Sequence, residues 1–142
     1  MSARRKAAGR VICVVAAAIV RDGALLVVRK RGTASFMLPG GKGEPEESEA
    51  ETLQRELHEE LGCRLRPEGL VLLGRFEAPA ANEPGCVVRA AIYCGDLDGV
   101  PVIAAEIAEM LWLDVAGTDD PPIRLAPLLS RHVLPALCRE AS

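Results

Sequence analysis

Residues 48–62, SEAETLQRELHEELG, spell out one helix together with both of its ends, and a helix so marked requires the rest of the chain to supply a surface for it. Ala50, Leu53, Leu57 and Leu61 recur at steps of three and four, the stripe by which a helix docks on a core. Ser48 stands at the N-cap with Glu51 three residues on as its capping-box partner, and Gly62 supplies the left-handed stop. Beside the stripe lie Glu56, Glu59 and Glu60, which at this spacing project as one acidic cluster. A cluster like that repels itself unless a cation sits in it.

Three carboxylates within reach of one another suit a hard cation taking oxygen ligands, magnesium or manganese, because phosphate-handling sites favour these ions. Zinc would ask for His or Cys. The two histidines, His58 and His132, are far apart in sequence, and His58 is expected to point away from the stripe. Most charge runs are no more than a solvated face; the residues flanking this one argue for a site.

Those residues are Gly41, Glu47, Arg55-Glu56-Leu57, Glu59-Glu60 and Gly62. They meet every fixed position of glycine-x5-Glu-x7-Arg-Glu-aliphatic-x-Glu-Glu-x-Gly-aliphatic except the last, where Cys63 stands for an aliphatic residue. The pattern resembles the signature of the Nudix hydrolases. A buried cysteine behaves as a small hydrophobe, so the departure changes little. Upstream, Phe36-Met37-Leu38-Pro39-Gly40-Gly41 is similar to the Trp-x-Leu-Pro-Gly-Gly lead-in of many members, with Phe for Trp.

The resemblance implies magnesium- or manganese-dependent cleavage of a nucleoside diphosphate linked to another group, by water attacking phosphorus. Carried over residue by residue, Glu56, Glu59 and Glu60, with the carbonyl of Gly41, are the expected metal ligands. Arg55 would pair with Glu47 and hold the glycine loop against the helix. Pyrophosphate cleavage moves negative charge onto the leaving oxygens, which bridging cations stabilise, and a glutamate near the metal can accept the proton of water.

A chain of 142 residues falls within the usual size of one domain. Residues 1–9 are expected to form a flexible basic tail, and 10–142 a single Nudix-type domain. A formal charge of −3 argues against duplex nucleic acid, whose binding rests on neutralising phosphates. A small nucleotide is the expected partner, no membrane is implied, and a homodimer stays open. The five cysteines are odd in number and contain no C-x-x-C pair, which fits a reducing cytoplasm better than a disulfide framework.

Met1 to Val20 imitates a signal peptide, with Arg4-Arg5-Lys6 before an apolar run from Val11. The run is too short to span a bilayer. It leads through Arg21-Asp22-Gly23 into a second apolar segment, Ala24 to Arg29, so it is read as the first strand of a hairpin. Further strands are expected at Leu70–Phe76, Val87–Cys94 and Ile107–Asp114, with a loop from Pro79 to Gly85. A C-terminal helix over Arg124–Arg139 should be kinked or shortened by Pro127 and Pro135. The architecture that follows is α/β, an α/β/α sandwich around a mixed β-sheet.

Outside the signature each residue has two readings. Arg29 resembles a phosphate-contacting arginine of relatives, or is a plain surface arginine. Glu106 and Glu109 lie in a Glu-Ile-x-Glu-x-x-Trp stretch where members carry a base or an extra metal ligand; ordinary loop polarity is the alternative. Asp119-Asp120 lies where purine-reading members place recognition carboxylates, although Asp-Asp-Pro-Pro is also a plain turn. Pro79 sits where ADP-ribose-cleaving members have a proline, and Phe36, Phe76, Tyr93 and Trp112 are the aromatics that could stack on a base. An ADP-ribose-like compound and a (deoxy)nucleoside triphosphate both remain as substrates. A nucleotide-sensing module and a prenyl diphosphate isomerase compete with the hydrolase, but the intact Arg-Glu-x-x-Glu-Glu favours hydrolysis.

Overall fold

The computed structural model describes residues 10–116 and 123–141. The apolar N-terminal run forms β1 (Arg10–Arg21), which turns at Asp22 and Gly23, both at positive φ, into β2 (Ala24–Lys30). Two consecutive left-handed residues are what a two-residue hairpin demands. Then follow β3 (Gly40–Gly41), α1 (Glu49–Leu61), β4 (Arg64–Leu65), β5 (Val71–Pro79), β6 (Cys86–Gly95), β7 (Leu97–Asp98) and β8 (Ile107–Asp114). The chain ends in a π-helical turn (Leu129–Val133) continuous with α2 (Leu134–Ala141).

The main sheet runs β5-β6-β1-β2-β8, with β3 also paired to β1. It is mixed: β1 and β6 are parallel over ten residue pairs, and the other neighbours are antiparallel. Strand alternation divides β1 between two cores. Val15, Ala17 and Ile19 pack with Leu53, Leu57 and Leu61 of α1, whereas Ala16 and Ala18 pack with Leu129, Val133 and Leu137 of the C-terminal helix. The molecule is therefore the α/β/α sandwich expected, and the run that imitates a signal peptide is its central strand.

One irregularity positions everything that follows. β1 and β2 pair only at Val20–Leu25 and Arg21–Ala24, after which they part. Residues 36–41 enter the gap: Met37 exchanges backbone bonds with Val28, the Ala17 N–H donates to the Pro39 carbonyl, and Gly40-Gly41 pairs with Ala16-Val15.

The expected elements are found with moderate changes of extent. Pro79 belongs to β5, so the loop begins at Ala80. Leu125 is held in a bridge to Phe36 rather than in a helix, and the C-terminal helix starts at 127. Pro127 fits there because a first helical turn has no use for its missing N–H. The π turn ends at Val133, two positions before Pro135, which cannot donate the bond a regular turn would need. β3, β4 and β7, of two residues each, were not expected. Residues 1–9 and Asp119-Asp120 lie outside the described residues.

Candidate active site

α1 ends where its sequence says it should. The Ser48 hydroxyl accepts from the Glu51 N–H at 3.1 Å, the Glu51 carboxylate accepts from the Ser48 N–H at 2.8 Å, and Gly62 closes the helix at φ 67°. Leu53, Leu57 and Leu61 are fully buried, while Ala50, expected in the same stripe, faces solvent. Its inward place in the first turn is taken by Thr52, whose hydroxyl donates to Glu47 at 2.8 Å.

The glycine loop lies against this helix without slack. A Cβ on Gly40 would fall 2.2 Å from the Val15 carbonyl oxygen, and one on Gly41 would fall 2.4 Å from the carboxyl carbon of Glu56. Gly40 is open only to glycine because of its contact with the backbone of β1, whereas a side chain at Gly41 would have to displace the carboxylate of Glu56. Glu60 is only 3% exposed, and one of its oxygens accepts from the Gly40 N–H at 3.2 Å. Burial first, and the neighbouring Glu56 second, push its carboxyl up to about 8, against a partial offset from the Gly40 N–H and the charge of Lys30.

Arg55 fills the role that sequence reasoning left to a metal alone. Its Nε and Nη2 grip both oxygens of Glu47 at 2.7 and 2.9 Å, Nη1 donates to Glu56 at 3.0 Å, and Nη2 also reaches the Lys42 carbonyl at 3.0 Å. Glu59 lies 3.7 Å from the same guanidinium, with its side chain half-exposed. The acidic cluster is thus partly neutralised from within. The Arg55 bond, joined by the Glu44 N–H and Thr52, holds the Glu47 carboxyl down at about 2.

A cavity of about 510 Å³ opens beside the loop. It is lined by Gly40, Gly41, Lys42, Glu56, Lys30 and Glu106, by Pro79, Asn82 and Glu83, and by apolar residues that include Val14, Leu38 and Val88. Of the residues expected here, Glu56, Gly41 and Glu106 line it and Glu60 lies directly behind Gly40. Glu106 is fixed through its carbonyl, which accepts from the Arg31 N–H at 2.7 Å. Arg29 does not line the cavity: it bonds Glu109 at 2.7 Å and the Thr33 carbonyl at 2.7 Å. None of the four aromatics lines it either. Phe36 is buried, Phe76 stacks on His132, Tyr93 bonds Glu49, and Trp112 lies beside Arg21.

Lys30 and Lys42 are cavity residues that sequence reading passed over. Both faces of β2 are apolar from Leu25 to Val28, so no alternation marks which of Arg29 and Lys30 turns toward α1. The register irregularity between these two residues adds to the ambiguity.

The donor set at the loop is all oxygen, which fits a hard cation and not zinc, His58 being exposed on the far side. Among the described residues, no three His, Cys, Asp or Glu side chains already converge as a metal-holding group. Glu56 and Glu60 lie together against Gly41 and Gly40, and Glu59 lies beside Arg55.

Comparison with known proteins agrees with this architecture. The model of the NUDIX domain matches residues 10–136. A MutT-like protein of Streptomyces ambofaciens is 30% identical over 124 residues, which cover 87% of this chain and 75% of that one. A MutT NUDIX hydrolase from Burkholderia pseudomallei has a similar structure, with a TM-score of 0.74 and 26% identity, over 90% of this chain and 98% of that one. The E. coli ORF135 protein gives a TM-score of 0.73 at 27% identity, over 94% and 92%. The chain belongs to the Nudix hydrolase family, whose members act on phosphorus anhydrides of small nucleotides. No helix among the described residues is long and apolar enough to cross a membrane.

Proposed function

We propose that this Nudix protein hydrolyses the pyrophosphate linkage of a nucleoside diphosphate joined to another group, with magnesium or manganese as cofactor. The observation that carries the reading is the meeting of Glu56 and Glu60 with the Gly40-Gly41 loop beside a cavity that Lys30 and Lys42 also line. Glu56, Glu59, Glu60 and the Gly41 carbonyl would hold the cation. Once bound, it supplies positive charge against the pyrophosphate oxygens and acidifies water.

The chain's own residues do the rest. Lys30 and Lys42 attract and orient the phosphates, and their charge opposes the negative charge that builds on the leaving group. A water oxygen forms a bond to phosphorus while the bridging P–O bond breaks; the leaving phosphate keeps that electron pair, and the water's proton passes to Glu106. Arg55 and Glu47 brace the loop and take no proton. Asn82 and Glu83 offer polar groups to the base or sugar, and the absence of a lining aromatic among the described residues leaves base recognition to such groups and to the aliphatic floor.

A panel of nucleoside triphosphates and ADP-sugars, assayed with magnesium for release of pyrophosphate, phosphate or nucleoside monophosphate, tests the reading. Metal-dependent turnover of at least one compound is expected. Tight binding of a nucleotide without turnover would make the chain a sensing module instead.

A further inference from the structure

Glu49, the first residue of α1, is held from the sheet by side chains of two neighbouring strands. Arg75 of β5 donates to it twice, at 2.7 and 3.1 Å, and the Tyr93 hydroxyl of β6 donates at 2.5 Å. A second cavity, of about 420 Å³, separates the start of α1 from the sheet and is lined by Val15, Ala91, Thr52, Arg75 and Glu49. The fully buried leucine stripe begins only at Leu53. The later part of the helix is tied by directional bonds: Gln54 exchanges two with the Leu65 backbone, and the Ala104 N–H donates to the Glu60 carbonyl.

A helix resting on leucines alone can roll, because apolar contact is non-directional. Roll is what the site cannot tolerate. Glu49, Glu56 and Glu60 share one face at steps of seven and four, so rotation at the first is transmitted to the other two, and Glu56 has no room to move toward Gly41. Stability is not a sufficient reason for the clamp. The Arg75 and Glu49 side chains are 58% and 36% exposed, and exposed ion pairs contribute little to folding.

We infer that Arg75 and Tyr93 are positioning residues for the reaction: through Glu49 they set the roll of α1, and with it the place of Glu56 and Glu60 against the glycine loop. The catalytic part of this inference rests on the function proposed above. The test uses Tyr93→Phe and Arg75→Gln, each alone and combined with Glu49→Ala, in the full chain. Three measurements are made: hydrogen exchange at the Gly40 amide in metal-free protein, Mn²⁺ binding by electron paramagnetic resonance, and kcat and KM. Each single variant should speed Gly40 exchange several-fold, weaken Mn²⁺ binding and lower kcat about tenfold with KM little changed, as small misplacements do. Tm should move by less than about 4 °C. Arg75→Lys, which keeps the charge, should recover part of the loss. In the Glu49→Ala background neither substitution should have a further effect. Gly40 exchange at the parent rate in both single variants overturns the inference, as do additive effects with Glu49→Ala. A parent protein without turnover would count against the hydrolase reading, and Gly40 exchange would still decide the clamp.

Discussion

Arg55 meets the charge of Glu47, Glu56 and Glu59 with one planar group, and its fork cannot be copied by the single ammonium of lysine. Arg55→Lys should lower Tm and, if the loop it braces holds the cation as proposed, cut kcat/KM roughly tenfold; thermal melts and steady-state kinetics check both. The brace also has a pH signature. The Glu47 carboxyl is depressed in the fold, so its contribution is complete above about 4.5 and is lost as pH falls toward 2. Acid unfolding of the Lys variant should therefore begin at higher pH. Glu60 has the opposite sign. Its folded value of about 8 lies above the ordinary 4.5, so the folded state holds the extra proton between those values and stability falls as pH rises through them. Melting of metal-free protein from pH 5 to 8.5 should show that decline, on the order of a few kcal/mol, and Glu60→Gln should flatten it. Glu106 is expected to act on a proton and not on the fold. Glu106→Gln should reduce turnover roughly a hundredfold or more, remove the acidic limb of the pH-rate profile and leave Mn²⁺ affinity nearly unchanged; a normal profile would return the role to another group.

Among the elements, the two glycines of β3 separate stability from activity. Gly40→Ala places a methyl group against the Val15 carbonyl at φ 150°, with backbone on both sides, and should cost about 1–3 kcal/mol or more by overpacking. Gly41→Ala instead meets the movable end of Glu56. It should leave Tm close to the parent and reduce kcat/KM about a hundredfold, with denaturant melts and kinetics as the checks. α1 could be read from the sequence to the residue, because its caps and stripe are local signals: Ser48, Glu51, Gly62 and the three leucines all act within one element. Gly41, Glu47, Arg55 and Glu56 could be associated with one another only through the family pattern. Lys30, Lys42 and the Tyr93–Glu49–Arg75 clamp carried no comparable mark, since each depends on which strands become neighbours. Register across distant strands has no signature in either strand alone.

At the scale of the molecule, the sandwich leaves α1 between a rigid sheet and a wedge, with the wedge formed by residues 36–41 in the fork between β1 and β2. The cavity is lined by parts of the chain about fifty residues apart, Lys30 and Glu83 among them. That fork bears on how the protein comes into being. β1 is short of a partner on the side away from β2 until β6 arrives, 76 positions later by the pairing of Arg10 with Cys86, and such distant parallel pairing is slow to form. The N-terminal half of the chain thus contains the whole signature and the β1 face on which α1 packs, but not β5 and β6, whose Arg75 and Tyr93 hold Glu49. Recovery of Mn²⁺ binding during refolding should follow the slowest major phase and not an early helical one, as stopped-flow fluorescence and timed metal capture can establish. A ribosome-bound chain that has not yet released β6 would hold every proposed ligand of the cation and still lack the bonds that fix α1, so metal capture should mark the docking of β6.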